Sequence, residues 1–91
     1  MRETPAGESR IRLDKWLWFA RVVRTRALAQ ELAAGGHVRV NGQRAEAAAK
    51  AVRPGDVLTI ALPSRVRVLK VLDVAERRGP ATDAQALYEE L

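Results

Sequence analysis

A regular pattern of apolar positions begins only after Ser9. From Arg10 or Arg12 onward, Leu13, Trp16, Leu17, Ala20 and Val23 recur every third or fourth residue, which predicts an amphipathic helix of about three turns. Asp14 falls in its first turn, where the helix dipole favours a carboxylate. Thr25 suits the N-cap of a second helix with the stripe Leu28, Ala29 and Leu32, and the pair Gly35, Gly36 ends it. The two helices should pack as a hairpin. The period then changes to two: Val38 and Val40 point one way, while His37, Arg39 and Asn41 point the other.

Asn41-Gly42 supplies the positive-φ residues of a type I′ turn and therefore a β-hairpin. Ala45 to Ala51 is poor in β-branched residues and reads equally as a weak strand or an ordered loop. Pro54-Gly55-Asp56 marks a second turn before Val57 to Leu62, whose Leu58, Ile60 and Leu62 alternate inward. Pro63-Ser64 precedes Arg65 to Val74, where the alternation slips phase around Leu69, as a bulge or a two-sided strand would require. After a charged connector, Glu76 to Ala81, Thr82 and Gln85 fit a capping box opening a last helix with the stripe Ala84, Leu87, Tyr88 and Leu91. The expected class is α+β, with two N-terminal helices on a small, bent antiparallel sheet of four to five strands and a short C-terminal helix. A flexible arm over 1–9, a main domain over 10–75 and a connector with helix over 76–91 complete the expected organisation.

Composition narrows the function. At 91 residues the chain can build one modest core but not a core plus a deep, walled cleft, which argues against an enzyme. It contains no cysteine and one histidine, so no disulfide framework, thiolate metal site or histidine cluster can form, and no metal or cofactor is expected. Residues 1–9 carry no apolar run resembling a signal peptide, and no stretch approaches membrane-spanning length, so a cytoplasmic location is expected.

Charge sharpens the picture. Between Ser9 and Arg53 stand ten basic residues against three acidic ones, whereas the flanking segments are nearly neutral. Eight of those ten are arginine, whose planar fork of donors matches phosphate and base edges. So concentrated a surplus is self-repulsive and points to a polyanionic partner, nucleic acid first. Arg24, Thr25 and Arg26 occupy the junction of the two helices, where helix amides can also hold phosphate. Gln30 lies one turn beyond Arg26, and Arg39, Asn41, Gln43 and Arg44 decorate the hairpin beside Gly42. By helical phase Asp14, Trp18 and Arg21 lie off the first stripe. Trp18 suits equally a stacked base or a cover for the edge of the C-terminal strands. Asp14 should pair with Arg12 or Arg26. Trp16 belongs to the core, His37 to the surface, and Thr25 has no base to activate it as a nucleophile.

The ordered motifs Arg12-Leu13-Asp14-Lys15, Thr25-Arg26-x-x-Ala29, Gly36-x-Val38-x-Val40-Asn41-Gly42 and Pro54-Gly55-Asp56 resemble the S4 RNA-binding domain. That resemblance implies the αL arrangement, with RNA held by the helix pair and the hairpin. A narrower similarity, carried by Asp14-Lys15-Trp16-Leu17-Trp18, Thr25-Arg26-Ala27-Leu28-Ala29, Arg77-Arg78-Gly79-Pro80-Ala81 and Leu87-Tyr88-Glu89-Glu90, is to the bacterial heat-shock protein 15 family. It implies a ribosome-associated, stress-linked protein that binds the large subunit carrying a nascent chain on its tRNA. Longer members continue into a basic helical extension that this chain, ending at Leu91, does not include, so contacts made there do not transfer.

The leading expectation is a non-catalytic, monomeric RNA-binding protein contacting ribosomal RNA, with tRNA as a further candidate, through Arg12, Lys15, Arg21, Arg24, Thr25, Arg26, Gln30, Arg39, Asn41, Gln43 and Arg44. An S4-type module delivering RNA to a modifying enzyme is the alternative. A membrane role for the Trp-rich first helix competes poorly, because the core needs its apolar stripe.

Overall fold

The computed structural model describes residues 9–75 and 78–91. The expected flexible arm, up to Glu8, and part of the connector therefore lie outside the described residues. The described chain runs β1 (Ile11–Arg12), α1 (Leu13–Phe19), α2 (Arg26–Ala34), β2 (Val38–Val40), β3 (Gln43–Arg44), β4 (Ala51–Val52), β5 (Val57–Ala61), β6 (Val66–Val71), α3 (Ala81–Gln85) and β7 (Tyr88–Glu90). An antiparallel five-stranded sheet is ordered β3-β2-β5-β6-β7, and β1 and β4 form a separate two-stranded ribbon. The α+β class, with helices packed on antiparallel sheet, is the expected one.

The first helix is shorter than its periodicity suggests. Ala20 caps it, Arg21 turns into the left-handed region at φ 60°, and Val22 N–H donates to the Leu17 carbonyl at 3.0 Å. Arg21 N–H also donates to the Trp18 carbonyl at 3.1 Å, so the helix closes in the double-bonded reversal usually built on glycine. An arginine there gives no glycine-like stop signal, which is why Val23 looked like a continuation of the stripe. Leu13, Trp16 and Leu17 are wholly buried against the sheet, and Trp16 Nε1 donates to the Asp73 carbonyl at 3.0 Å. With Trp16 and Leu17 spent in the core, α1 has no apolar stripe to lay on a membrane.

Thr25 caps α2 as expected, its hydroxyl accepting from Leu28 N–H at 3.1 Å. The buried face of that helix is Ala29 and Ala33, with Leu32 partly covered, whereas Leu28 stays 43% exposed. The stripe is thus rotated away from Leu28, because alanine at the contact positions lets the helix approach α1 more closely than leucine would. Gly36, at φ 83°, turns the chain into β2.

Val38 pairs with Ile60, Val40 with Leu58, and Leu58 with Leu69, laying a buried aliphatic row across three strands. Asn41 and Gly42 adopt φ 52° and 85°, the expected hairpin turn. Residues 45–50 form a loop, and Ala51–Val52 joins β1. The β5–β6 ladder runs without interruption from Val57–Lys70 to Ala61–Val66, so no bulge explains the phase slip. Arg67 instead occupies the same side as Leu69 and Val71, paired with Glu90 at 2.7 Å and lying 5.6 Å from the Tyr88 ring centroid.

The last helix departs most from expectation. It starts after Pro80, with no capping box from Thr82, and ends at Gln85. Tyr88–Glu90 is a strand on the open edge of β6, fastened by Leu72 N–H to the Leu87 carbonyl and Leu91 N–H to the Val68 carbonyl, both 2.8 Å. Tyr88 also packs edge-on to Trp16 at 6.4 Å. Strand pairing and these aromatic and ionic contacts override a spacing that fits a helix.

Candidate nucleic-acid interface

The predicted basic residues other than Arg21 gather at two places joined by α2. At the helix junction, Arg12 Nε and Nη2 donate to the two oxygens of Asp14, each at 3.0 Å, and Arg26 Nη2 lies 3.6 Å from Asp14 Oδ2. Lys15 N–H donates to Asp14 Oδ1 at 2.7 Å. Asp14 therefore pairs with both arginines, yet it is buried rather than off the packed face, because β1 and α2 close over it. Burial pushes its carboxyl up, but the Arg12 hydrogen bonds, the Lys15 amide and the two positive charges outweigh that and hold it below its ordinary value. Thr25 and Arg24 are exposed beside this group, and the amides of Arg26 and Ala27 have no protein acceptor among the described residues. Gln30 is exposed one turn further along.

The second place is the hairpin. Arg39 and Arg44 are direct register partners and both are exposed. The Arg44 guanidinium lies against Gly36, where any side chain would collide with it. Eight further residues of α2 separate Arg26 from this end of the helix, about 12 Å along the axis. Gln43 is exposed, whereas the amide of Asn41 is spent within the protein: Nδ2 donates to Asp56 Oδ1 at 3.0 Å and Oδ1 accepts from Val57 N–H at 2.9 Å. Asp56 also accepts from Arg53 N–H at 3.0 Å, so the hairpin turn and the Pro54-Gly55 turn are locked to one another.

Arg21 stands apart from both groups. Its guanidinium donates twice to the Gly79 carbonyl, at 2.9 and 3.2 Å. In return Arg78 Nε donates to the Trp18 carbonyl at 2.9 Å, and its guanidinium sits 5.2 Å from the Trp18 ring centroid. Trp18 thus carries the connector at the end of α1. Arg78 belongs to the nearly neutral half of the chain, and only the fold brings it to the end of α1.

Among the described residues no group of histidine and carboxylate side chains could hold a metal ion. A groove of about 310 Å³ is lined by Val23, Leu28, Leu32, Leu62 and Pro63 with Glu31 and His37, and it contains no nucleophile paired with a base. No described helix is long and apolar enough to cross a membrane.

The family model described as S4 domain matches residues 11–58. Heat shock protein 15 of Escherichia coli (strain K12) is 47% identical over 90 residues, which are 99% of this chain and 65% of that protein, so the chain spans just under two thirds of the length of that relative. The RQC P-site tRNA stabilizing factor of Bacillus subtilis (strain 168) is 35% identical over 83 residues, covering 88% of this chain and 95% of its own. A trimeric structure of Vibrio cholerae heat shock protein 15 superposes with a TM-score of 0.84 at 38% identity, covering 91% of this chain and 83% of that one.

Proposed function

Since the chain belongs to the S4-domain family and is homologous to heat shock protein 15, we propose that it is a non-catalytic RNA-binding protein that acts on ribosomal RNA of the large subunit. Its role in this reading is rescue or recycling of stalled subunits that still carry a nascent chain on tRNA. The observation that carries the proposal is the Arg12–Asp14–Arg26 junction at the start of α2, inside the matched segment and followed along the same helix by the Arg39–Arg44 hairpin. Guanidiniums at a helix N-terminus with unpaired amides suit phosphate, and a second cation pair further along the helix suits a backbone running past it.

Arg12, Lys15, Arg24, Thr25, Arg26, Gln30, Arg39, Gln43 and Arg44 make the contacts in this reading. Asn41 holds the hairpin in shape, and Arg21 contributes beside the Arg78 clamp. The name of the Bacillus subtilis relative favours a neighbouring tRNA as a second partner. The trimer of the Vibrio cholerae relative makes self-association an open alternative to a monomer.

Co-sedimentation with ribosomal particles on a sucrose gradient tests the proposal. Wild-type protein should travel with large subunits, and Arg26→Glu should remain at the top of the gradient while keeping a folded circular-dichroism spectrum. Affinity should fall steeply with salt, as counterion release from several phosphates requires. Wild-type protein that binds small RNAs tightly yet ignores the large subunit would redirect the function to tRNA or to an RNA-modifying partner.

A further inference from the structure

Asp14 is the one buried charged residue among the described residues, and it lies under the most basic part of the molecule. Its carboxylate gathers Arg12 from β1, the Lys15 amide from α1 and Arg26 from α2. The exposures decide what a ligand meets: the Asp14 side chain is 0% exposed, whereas those of Arg12 and Arg26 are 49% and 36% exposed. A negative charge in a phosphate-binding face would ordinarily weaken it. Here the charge is hidden and the outer edges of two guanidiniums are presented in its place.

Building on the RNA-binding reading above, we propose that Asp14 is a positioning residue that determines specificity. It orients the Arg12 and Arg26 guanidiniums as a pre-set pair for RNA phosphates, so that folded RNA of matching shape is preferred over a flexible polyanion. Free arginine side chains would surrender rotamer freedom on binding any phosphate; arginines already tied to one carboxylate have surrendered much of it during folding. The Arg12 fork is bidentate and fixes that guanidinium in plane and direction. Among the described residues Arg26 is held only by the longer ion pair and its buried Nε meets no partner, so its orientation depends on Asp14 and on packing.

The proposal reverses the sign expected from charge. Asp14→Asn makes the protein one unit more positive and keeps a side chain of the same shape. If the residue mattered only through charge, binding to every RNA would strengthen. If it positions the arginines, affinity for Escherichia coli large ribosomal subunits falls by about tenfold or more while affinity for poly(U) is unchanged or rises.

Fluorescence anisotropy of labelled protein against both probes, with circular dichroism as the control for folding, reads the ratio directly. A second variant leaves the buried carboxylate in place: Arg12→Lys with Arg26→Lys preserves every charge but removes the forks, and it too should lose the preference for subunits over poly(U). Should Asp14→Asn fail to fold, the lysine variant alone decides. Preference retained in the folded variants overturns the positioning role. A wild-type protein with no preference for subunits over poly(U) overturns the large-subunit reading on which the proposal rests.

Discussion

Arg39 and Arg44 stand directly opposite each other across the β2–β3 hairpin, like charges in a position where cross-strand neighbours interact most strongly. Among the described residues Arg39 makes one internal bond, to the Gly42 carbonyl at 3.5 Å, which is at the limit of hydrogen-bond length and offsets little of this repulsion. Arg39→Gln should therefore stabilise the free protein by about 0.2–1 kcal/mol at low salt, with the gain shrinking as salt rises. The same substitution should weaken RNA binding and lower the salt slope by about one. Urea unfolding and binding titrations at several ionic strengths check both signs, and a destabilised variant would contradict the repulsion argument.

Acid should loosen the helix junction. The Asp14 carboxyl sits below its ordinary value of 3.8, so the folded state binds its proton less readily than the unfolded chain does. The stability it contributes is fully present above that ordinary value and disappears as pH falls through the lower folded value. Glu90 shifts in the same direction because Arg67 donates hydrogen bonds to it. Between about pH 5 and pH 2, wild-type protein should lose unfolding free energy more steeply than Asp14→Asn. Parallel pH profiles would remove Asp14 from the acid transition.

Asn41 offers a separation of shape from contact. Asn41→Gly keeps the left-handed backbone but loses the bonds to Asp56 and Val57 N–H, at a cost of about 1–2 kcal/mol. Asn41→Ala also strains the turn and should cost roughly 1 kcal/mol more. The two variants should differ in urea midpoint in that order. Equal midpoints would show that the turn conformation does not limit the choice of residue.

The core prediction is larger. Leu17→Ala removes a wholly buried side chain between helix and sheet and should cost on the order of 2–5 kcal/mol. Trp16→Phe keeps an aromatic side chain but shrinks the buried indole to a phenyl ring and leaves the Asp73 carbonyl without its donor, at a cost of at least about 1–3 kcal/mol. Chemical denaturation of each variant gives the comparison, and Trp16→Phe should also loosen the segment after β6 that holds Asp73. A change below about 0.5 kcal/mol in either would mean that the site is less packed than its burial indicates.

Much of the architecture was legible before any coordinates. The Thr25 cap, the glycine exit from α2, the Asn41-Gly42 turn and the buried Val38, Val40, Leu58 and Ile60 all depend on local chemistry or strict periodicity, which the chain carries within a few residues. The concentration of arginine between Arg10 and Arg53 is likewise a property of the linear sequence. Tertiary structure decided the rest. Whether residues 88–90 form a helix or a strand depended on an open edge of β6, and whether Asp14 is exposed or buried depended on β1 and α2 meeting over it. The contact of Arg78 with Trp18 joins residues sixty positions apart. Hydrogen bonds and ion pairs across such separations carry no signature in local spacing, because their partners become neighbours only when the chain folds.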